Sequence, residues 1–148
     1  MDQDYSSSLV SELFAVIYTL SGYAAPSVPP EIHFVSQTVM QAEVCGATCP
    51  IQAYYHSTRG VFIDERLDVV NDPYARSILL HELVHHVQAI SGRFDSTSDP
   101  CIRHSTAEAE AYLIQNRYLM SIHDPHRVAR SGWAMRCRHS GIVTPAAL

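Results

Sequence analysis

The residues most able to do chemistry in this 148-residue chain are His81-Glu82-Leu83-Val84-His85, an HExxH pattern. Residues four apart on a helix share a face. On a helix, His81 and His85 therefore stand side by side, with both imidazoles able to meet one metal ion. Glu82, one step round, comes within reach of a water on that metal. Two neutral imidazoles suit zinc, and a catalytic site needs a third protein ligand and an open position.

The pattern needs a helix to carry it, and the flanks provide one. Asp72 is a good N-cap, Pro73 suits the first helical position, and Gly92 is a natural stop. Between them Tyr74, Ile78, Leu83, Val84, Val87 and Ile90 form an apolar face, predicting a helix from Asp72 to Ser91. The bland alternative is an amphipathic helix whose histidines face solvent or satisfy core hydrogen bonds. The mid-helix position, where ligand geometry is rigid, favours the metal.

Upstream, Leu9, Leu13, Val16, Ile17 and Leu20 predict a helix over Ser8 to Ser21, ended by Gly22. Ala24 to Pro30 is a proline-rich loop. Ile32 to Val35 reads as a short strand with His33 on its polar side, and Ser36 to Val44 as a short helix. Gln52 to His56 and Gly60 to Asp64 read as a hairpin, rich in the aromatic and β-branched residues that strands favour. After Gly92, Arg93 to Arg103 reads as a loop. A second strong helix is expected over about Thr106 to Ile122, carrying Ala107, Ala111, Ile114, Tyr118 and Ile122 on one face and stopped by Asp124-Pro125. Val128 to Met135 is expected to be a third, shorter helix. Residues 1–5 and 139–148 are expected to be poorly ordered. The whole is a single α+β domain over 1–148, with a small mixed or antiparallel sheet packed on the HExxH helix and a glutamate-bearing helix after it.

The candidates for a third ligand are Glu108 and Glu110, and spacing alone also leaves open that neither serves. Each lies roughly 80° from the centre of its helix's apolar stripe, on opposite sides, so spacing alone does not choose between them. Glu108 also completes a capping-box pattern, Ser105-x-x-Glu108, in which it would simply reach back to the helix start.

Bulk composition narrows the partners. A net charge of −5 argues against nucleic acid. All ten basic residues are arginine, which excludes a lysine nucleophile or Schiff base. No arginine precedes Arg59, and Arg127, Arg130, Arg136 and Arg138 follow the last acid; a solvated surface is the expected reading of that basic strip. No stretch is long enough to span a membrane, and no signal peptide is expected within the chain, although Met1-Asp2-Gln3-Asp4 is compatible with a removed leader. The four cysteines allow three pairings; Cys45 with Cys49 and Cys101 with Cys137 are favoured over reduced thiols, which favours an exported, periplasmic location.

HELVHH followed by a Glu-x-x-Ala helix resembles the gluzincin zinc metallopeptidases, whose third ligand is a glutamate on the helix after HExxH. Glu108-Ala-Glu-Ala111-Tyr112 fits that pattern, with Tyr112 where several branches have Asp or Asn. Glu110-Ala-Tyr-Leu113 does not fit. The resemblance therefore implies His81, His85 and Glu108 as ligands of one Zn2+, with Glu110 as the alternative. It also implies a minimal zincin-like domain. The segment Ala53-Tyr54-Tyr55-His56, with its turn and Gly60 to Ile63, looks like the gluzincin hairpin whose edge strand binds substrate antiparallel through the main chain. Ala53, Tyr54 and Tyr55 are thus the implied substrate-binding residues.

The resemblance covers about residues 52–119. The chain length is similar to that of the single-domain minigluzincins. A similar pattern, HELVHH with ExEAY, marks an uncharacterised group of short bacterial proteins.

The expected function is a zinc-dependent hydrolase of peptide bonds, in which a metal-activated water attacks and Glu82 is the general base. Tyr112, His104, His86 and Tyr55 all carry groups able to support the oxyanion, and the sequence ranks none of them. A short chain offers half a cleft, to be completed by a partner or a larger substrate. Two alternatives compete: a non-catalytic metal-binding or interaction protein on the same frame, and another HExxH amidohydrolase. In peptide deformylases an upstream Gly-Cys supplies a sulfur ligand; here the order is Cys45-Gly46.

Overall fold

A computed structural model describes residues 3–129. From the N-terminus the elements are α1 (Gln3–Ser21), β1 (Ile32–Val35), α2 (Gln37–Val44), β2 (Ala53–His56), β3 (Gly60–Asp64), α3 (Pro73–Ser91) and α4 (Pro100–Ser121). Four helices and a three-stranded mixed sheet make this an α+β fold. The expected helix from Val128 to Met135 falls almost wholly outside the described residues, as do the tail 139–148 and Cys137 of the expected Cys101–Cys137 pair. Cys45 and Cys49 are joined by a disulfide.

The sheet order is β1-β3-β2, with β1 parallel and β2 antiparallel to the central β3. Side chains alternate across it, as strand geometry requires. Ala53, Val61 and Ile63 join the main core, while Tyr54 and Phe62 join a second cluster with Met40 of α2 and Ile51. Gly60 is required where β3 begins. Its φ is +95°, and a Cβ there would lie 2.3 Å from the Glu31 carbonyl oxygen that accepts from Val61 N–H. The chain could not pass β1 so closely with a side chain at that point.

α3 is built as its flanks predict. The Asp72 carboxylate accepts from Tyr74 N–H, Pro73 opens the helix, and Gly92 closes it at φ +66°. Its surroundings differ from the single apolar stripe expected. α3 packs against α1, α4, β2 and β3 at once, so Leu79 and Leu80 are buried along with Leu83 and Val84. Ile90, expected on the apolar face, lies beyond these neighbours and is exposed.

Two helix starts also differ from expectation. α1 begins at Gln3 rather than Ser8. α4 begins at Pro100 rather than near Thr106, capped by the Asp99 carboxylate, which accepts from Cys101 N–H and Ile102 N–H. The Asp-Pro device that starts α3 thus starts α4 as well. Ser105 stands inside the helix, so Ser105-x-x-Glu108 is no capping box and Glu108 is a mid-helix residue aimed at α3.

Candidate metal centre

α3 and α4 lie against each other, and three side chains converge in the seam between them. His81 Nε2 and His85 Nε2 are 3.2 Å apart. Glu108 reaches across from α4, with Oε1 2.5 Å from His85 Nε2 and Oε2 3.4 Å from His81 Nε2. Among the described residues this is the one His/Cys/Asp/Glu group whose donor atoms approach closely enough, all within 4.8 Å of one another, to hold a metal ion.

Each imidazole is held from behind. His81 Nδ1 is 3.0 Å from Gln115 Oε1, and the Gln115 amide nitrogen donates to Ser77 Oγ. His85 Nδ1 is 2.8 Å from Gln88 Oε1, and the Gln88 amide nitrogen donates to the Ala107 carbonyl and to Glu110. An amide oxygen can only accept, so both Nδ1 atoms must carry the proton. Nε2 is therefore the nitrogen each ring turns into the seam, the one a metal ligand needs once it is deprotonated, and that of His85 donates to Glu108 meanwhile. Neither glutamine was singled out in the sequence, although helix arithmetic held the signal. Gln88 is three residues after His85, and Gln115 is seven after Glu108, on the same faces as the groups they serve.

Glu110 does not join the group. It sits on the other flank of α4, where Tyr23 Oη and the Gln88 amide donate to Oε1 and Arg93 Nε donates to Oε2 at 2.9 Å. Its side chain is 20% exposed, against 8% for Glu108. The alternative ligand is thus a support for Gln88, which in turn holds His85.

The electrostatics favour a positive charge in the seam. Burial works against ionisation of Glu108, but hydrogen bonds and charge from both imidazoles hold its carboxyl well below the usual carboxylate range. Burial likewise opposes a charged His85, but the hydrogen bond to Glu108 and the negative charge around it lift the imidazole to about 9. A pocket of this charge could also hold a metal ion.

Glu82 is buried beside the group and borders two cavities that Glu108 also lines. Burial, helped by the Glu108 charge and opposed by the two imidazoles, pushes its carboxyl above the ordinary value. A carboxylate tuned upward is suited to taking and returning a proton near neutrality.

β2 runs past the group along the sheet edge. Ala53 borders a cavity of about 120 Å³ together with His81, Glu82 and Tyr112. Tyr54 and Tyr55 border a larger cleft of about 430 Å³ with Glu82, His85, His104 and Glu108. The rest of that cleft is largely apolar, including Val44, Ala89, Phe94 and Ala107.

The four oxyanion candidates differ in position, and both His86 and His104 have a buried Nε2 without a hydrogen-bond partner. Tyr55 Oη and His86 Nδ1 are 3.1 Å apart and bound to each other, and His86 packs on Phe14. Tyr112 packs on the His81 ring at a tilt, with ring centres 4.5 Å apart, and its hydroxyl is on Glu108. His104 lines the larger cleft, and its Nε2 is shut from solvent without a hydrogen-bond partner.

No helix among the described residues is long and apolar enough to cross a membrane. No curated protein and no solved structure matches the chain. One family model does match, over residues 2–135, and that span is nearly the whole sequence. The chain therefore belongs to the family described as Domain of unknown function (DUF6647).

Proposed function

We propose that this protein is a zinc-dependent peptidase, the reading that the gluzincin resemblance implies. The observation that carries it is the convergence of His81, His85 and Glu108 in a seam that Glu82 also borders. The spacing is compatible with zinc: donors at about 2.1 Å in a tetrahedral arrangement stand about 3.4 Å from one another. The His81–Glu108 and His81–His85 separations of 3.4 and 3.2 Å are close to that value, while the 2.5 Å His85–Glu108 contact is a hydrogen bond that a metal would have to open. The donor set of two imidazoles and a carboxylate is that of His2Glu hydrolytic zinc sites, which leave one position open.

When bound, zinc supplies Lewis acidity, lowering the pKa of a water towards neutrality and polarising the substrate carbonyl. The protein's own groups do the rest. Gln115 and Gln88 keep both imidazoles in the ligand tautomer. Glu82 takes a proton from the attacking water on its carboxylate and returns it to the leaving amine nitrogen. The outer edge of β2 offers backbone groups to an extended peptide, which would lie antiparallel along Ala53, Tyr54 and Tyr55. The apolar walls of the larger cleft suit an apolar side chain next to the cleaved bond. The Cys45–Cys49 disulfide favours an exported location.

The test is Glu82→Gln beside wild type on a peptide library, with zinc content measured on both. The variant is expected to keep its zinc and lose about 10²- to 10⁴-fold in turnover, the range of general-base catalysis. Zinc bound by a wild type that cleaves nothing would instead mark a metal-binding protein without hydrolytic activity.

A further inference from the structure

We infer that His104 is a catalytic residue that donates a hydrogen bond to the carbonyl oxygen of the cleaved peptide as that oxygen takes on negative charge. The inference rests on the peptidase reading above and assigns the one role that reading leaves open.

Position is the first ground. His104 precedes Glu108 by one turn of α4, so both project from the same face towards α3. It borders the larger cleft together with Glu82, His85 and Glu108. Yet it does not belong to the group of donor atoms that could hold the metal. It therefore lines the wall of the cleft without being one of the three candidate ligands.

Its unmet hydrogen-bonding capacity is the second ground. A buried imidazole nitrogen without a partner is uncommon, since desolvation is then uncompensated. His104 Nε2 is in that condition. A turn of the ring towards the cleft would let a carbonyl oxygen meet it and relieve it, and more so once the oxygen is charged.

Tyr55 Oη is bound to His86 Nδ1, and Tyr112 is turned to Glu108 and His81. His86 Nε2 is without a partner too, but His86 does not line the cleft; Arg103 does, with its Nε donating to the Thr97 carbonyl. In the proposed step the water oxygen bonds to the carbonyl carbon while the carbonyl π pair moves onto oxygen. His104 keeps its proton and shares it with that oxygen. On collapse the C–N bond breaks, and Glu82 protonates the nitrogen.

The test uses the zinc-loaded full chain and a set of N-phosphoryl dipeptides whose first residue is apolar, acidic or basic. Their tetrahedral anion mimics the charged oxygen, and affinity is read by calorimetry. His104→Ala and His104→Leu are expected to keep one zinc per chain and to bind the best phosphoryl dipeptide at least about 10-fold more weakly than wild type. His104→Gln, which restores an N–H donor, should recover part of the loss. Because Nε2 has no partner, His104→Leu strands no group that this nitrogen was serving, so at least one donor-free variant should fold.

Wild-type affinity in both donor-free variants would overturn the assignment. So would loss of zinc from either folded variant, which would make His104 part of the metal site. If zinc-loaded wild type binds none of the phosphoryl dipeptides, the peptidase reading itself fails and His104 has no oxyanion to serve. The wild-type titration alone tells the two failures apart.

Discussion

Gln88 holds His85 from behind: its Oε1 lies 2.8 Å from His85 Nδ1, while its amide nitrogen is fixed by the Ala107 carbonyl and Glu110 on the neighbouring helix. A candidate ligand on α3 is thereby aimed by groups on α4. Gln115 does the reciprocal service, reaching from α4 to His81. Partners of this kind typically account for about 10- to 100-fold in metal affinity. Gln88→Ala and Gln115→Ala are each expected to weaken zinc binding by about that factor without abolishing it. Competition with a chromophoric chelator measures this; unchanged affinity in both variants would remove the glutamines from the site.

Glu110 should behave as a brace and not as a ligand. Glu110→Ala strips an acceptor from Tyr23, Gln88 and Arg93 together. Leaving such partly buried donors unpaired costs about 1–3 kcal/mol. Thermal unfolding should show the corresponding fall in Tm, while zinc remains bound with affinity reduced by less than in Glu108→Ala.

The metal-free protein should also reveal the charged seam by its pH dependence. His85 is raised from 6.5 to about 9 by Glu108 against the cost of burial, so its contribution to stability is full below 6.5 and lost as pH rises through 9. Glu108 is lowered from 4.5, so its contribution is full above 4.5 and lost as pH falls. Stability of the apo protein is therefore expected to peak between these limits and to fall on either side. Metal must displace the His85 proton, so apparent affinity should rise with pH and level off near 9. Calorimetry in buffers of different ionisation enthalpy should detect about one proton released near pH 7.5. Affinity flat between pH 6.5 and 9 would contradict the assignment.

Helix α4 depends on a cap that its sequence carries plainly. Asp99→Ala removes the acceptor for Cys101 N–H and Ile102 N–H and should cost about 1 kcal/mol. Chemical denaturation would read this as a lower midpoint with an unchanged slope.

That cap shows where the sequence was legible and where it was not. Asp72-Pro73 and Gly92 marked α3 correctly because an apolar run filled the space between them. Asp99-Pro100 is the same signal, but the polar run Asp95 to Asp99 before it and Arg103 to Thr106 after it read as loop. With the start misplaced, Ser105 looked like a cap, and Glu108 acquired an ordinary explanation that the structure removes.

The choice between Glu108 and Glu110 was never local. Both flank the same stripe, and only the way α4 lies on α3 decides which flank meets the imidazoles. Ile90 and Leu79 make the same point for α3: a helix enclosed by two helices and a sheet has no single inner face to read from periodicity. The pairing of His81 with His85, by contrast, needs nothing beyond one turn of helix, and it stands as the sequence implied.

Metal content tests the central claim most directly. Wild type and the variants His81→Ala, Glu108→Ala and Glu110→Ala would be purified in parallel, dialysed against trace zinc and measured by elemental analysis. One zinc per chain is expected in wild type and Glu110→Ala, and essentially none in His81→Ala and Glu108→Ala. A metal-free wild type, or a Glu108→Ala variant that holds zinc as firmly as wild type, would contradict the account.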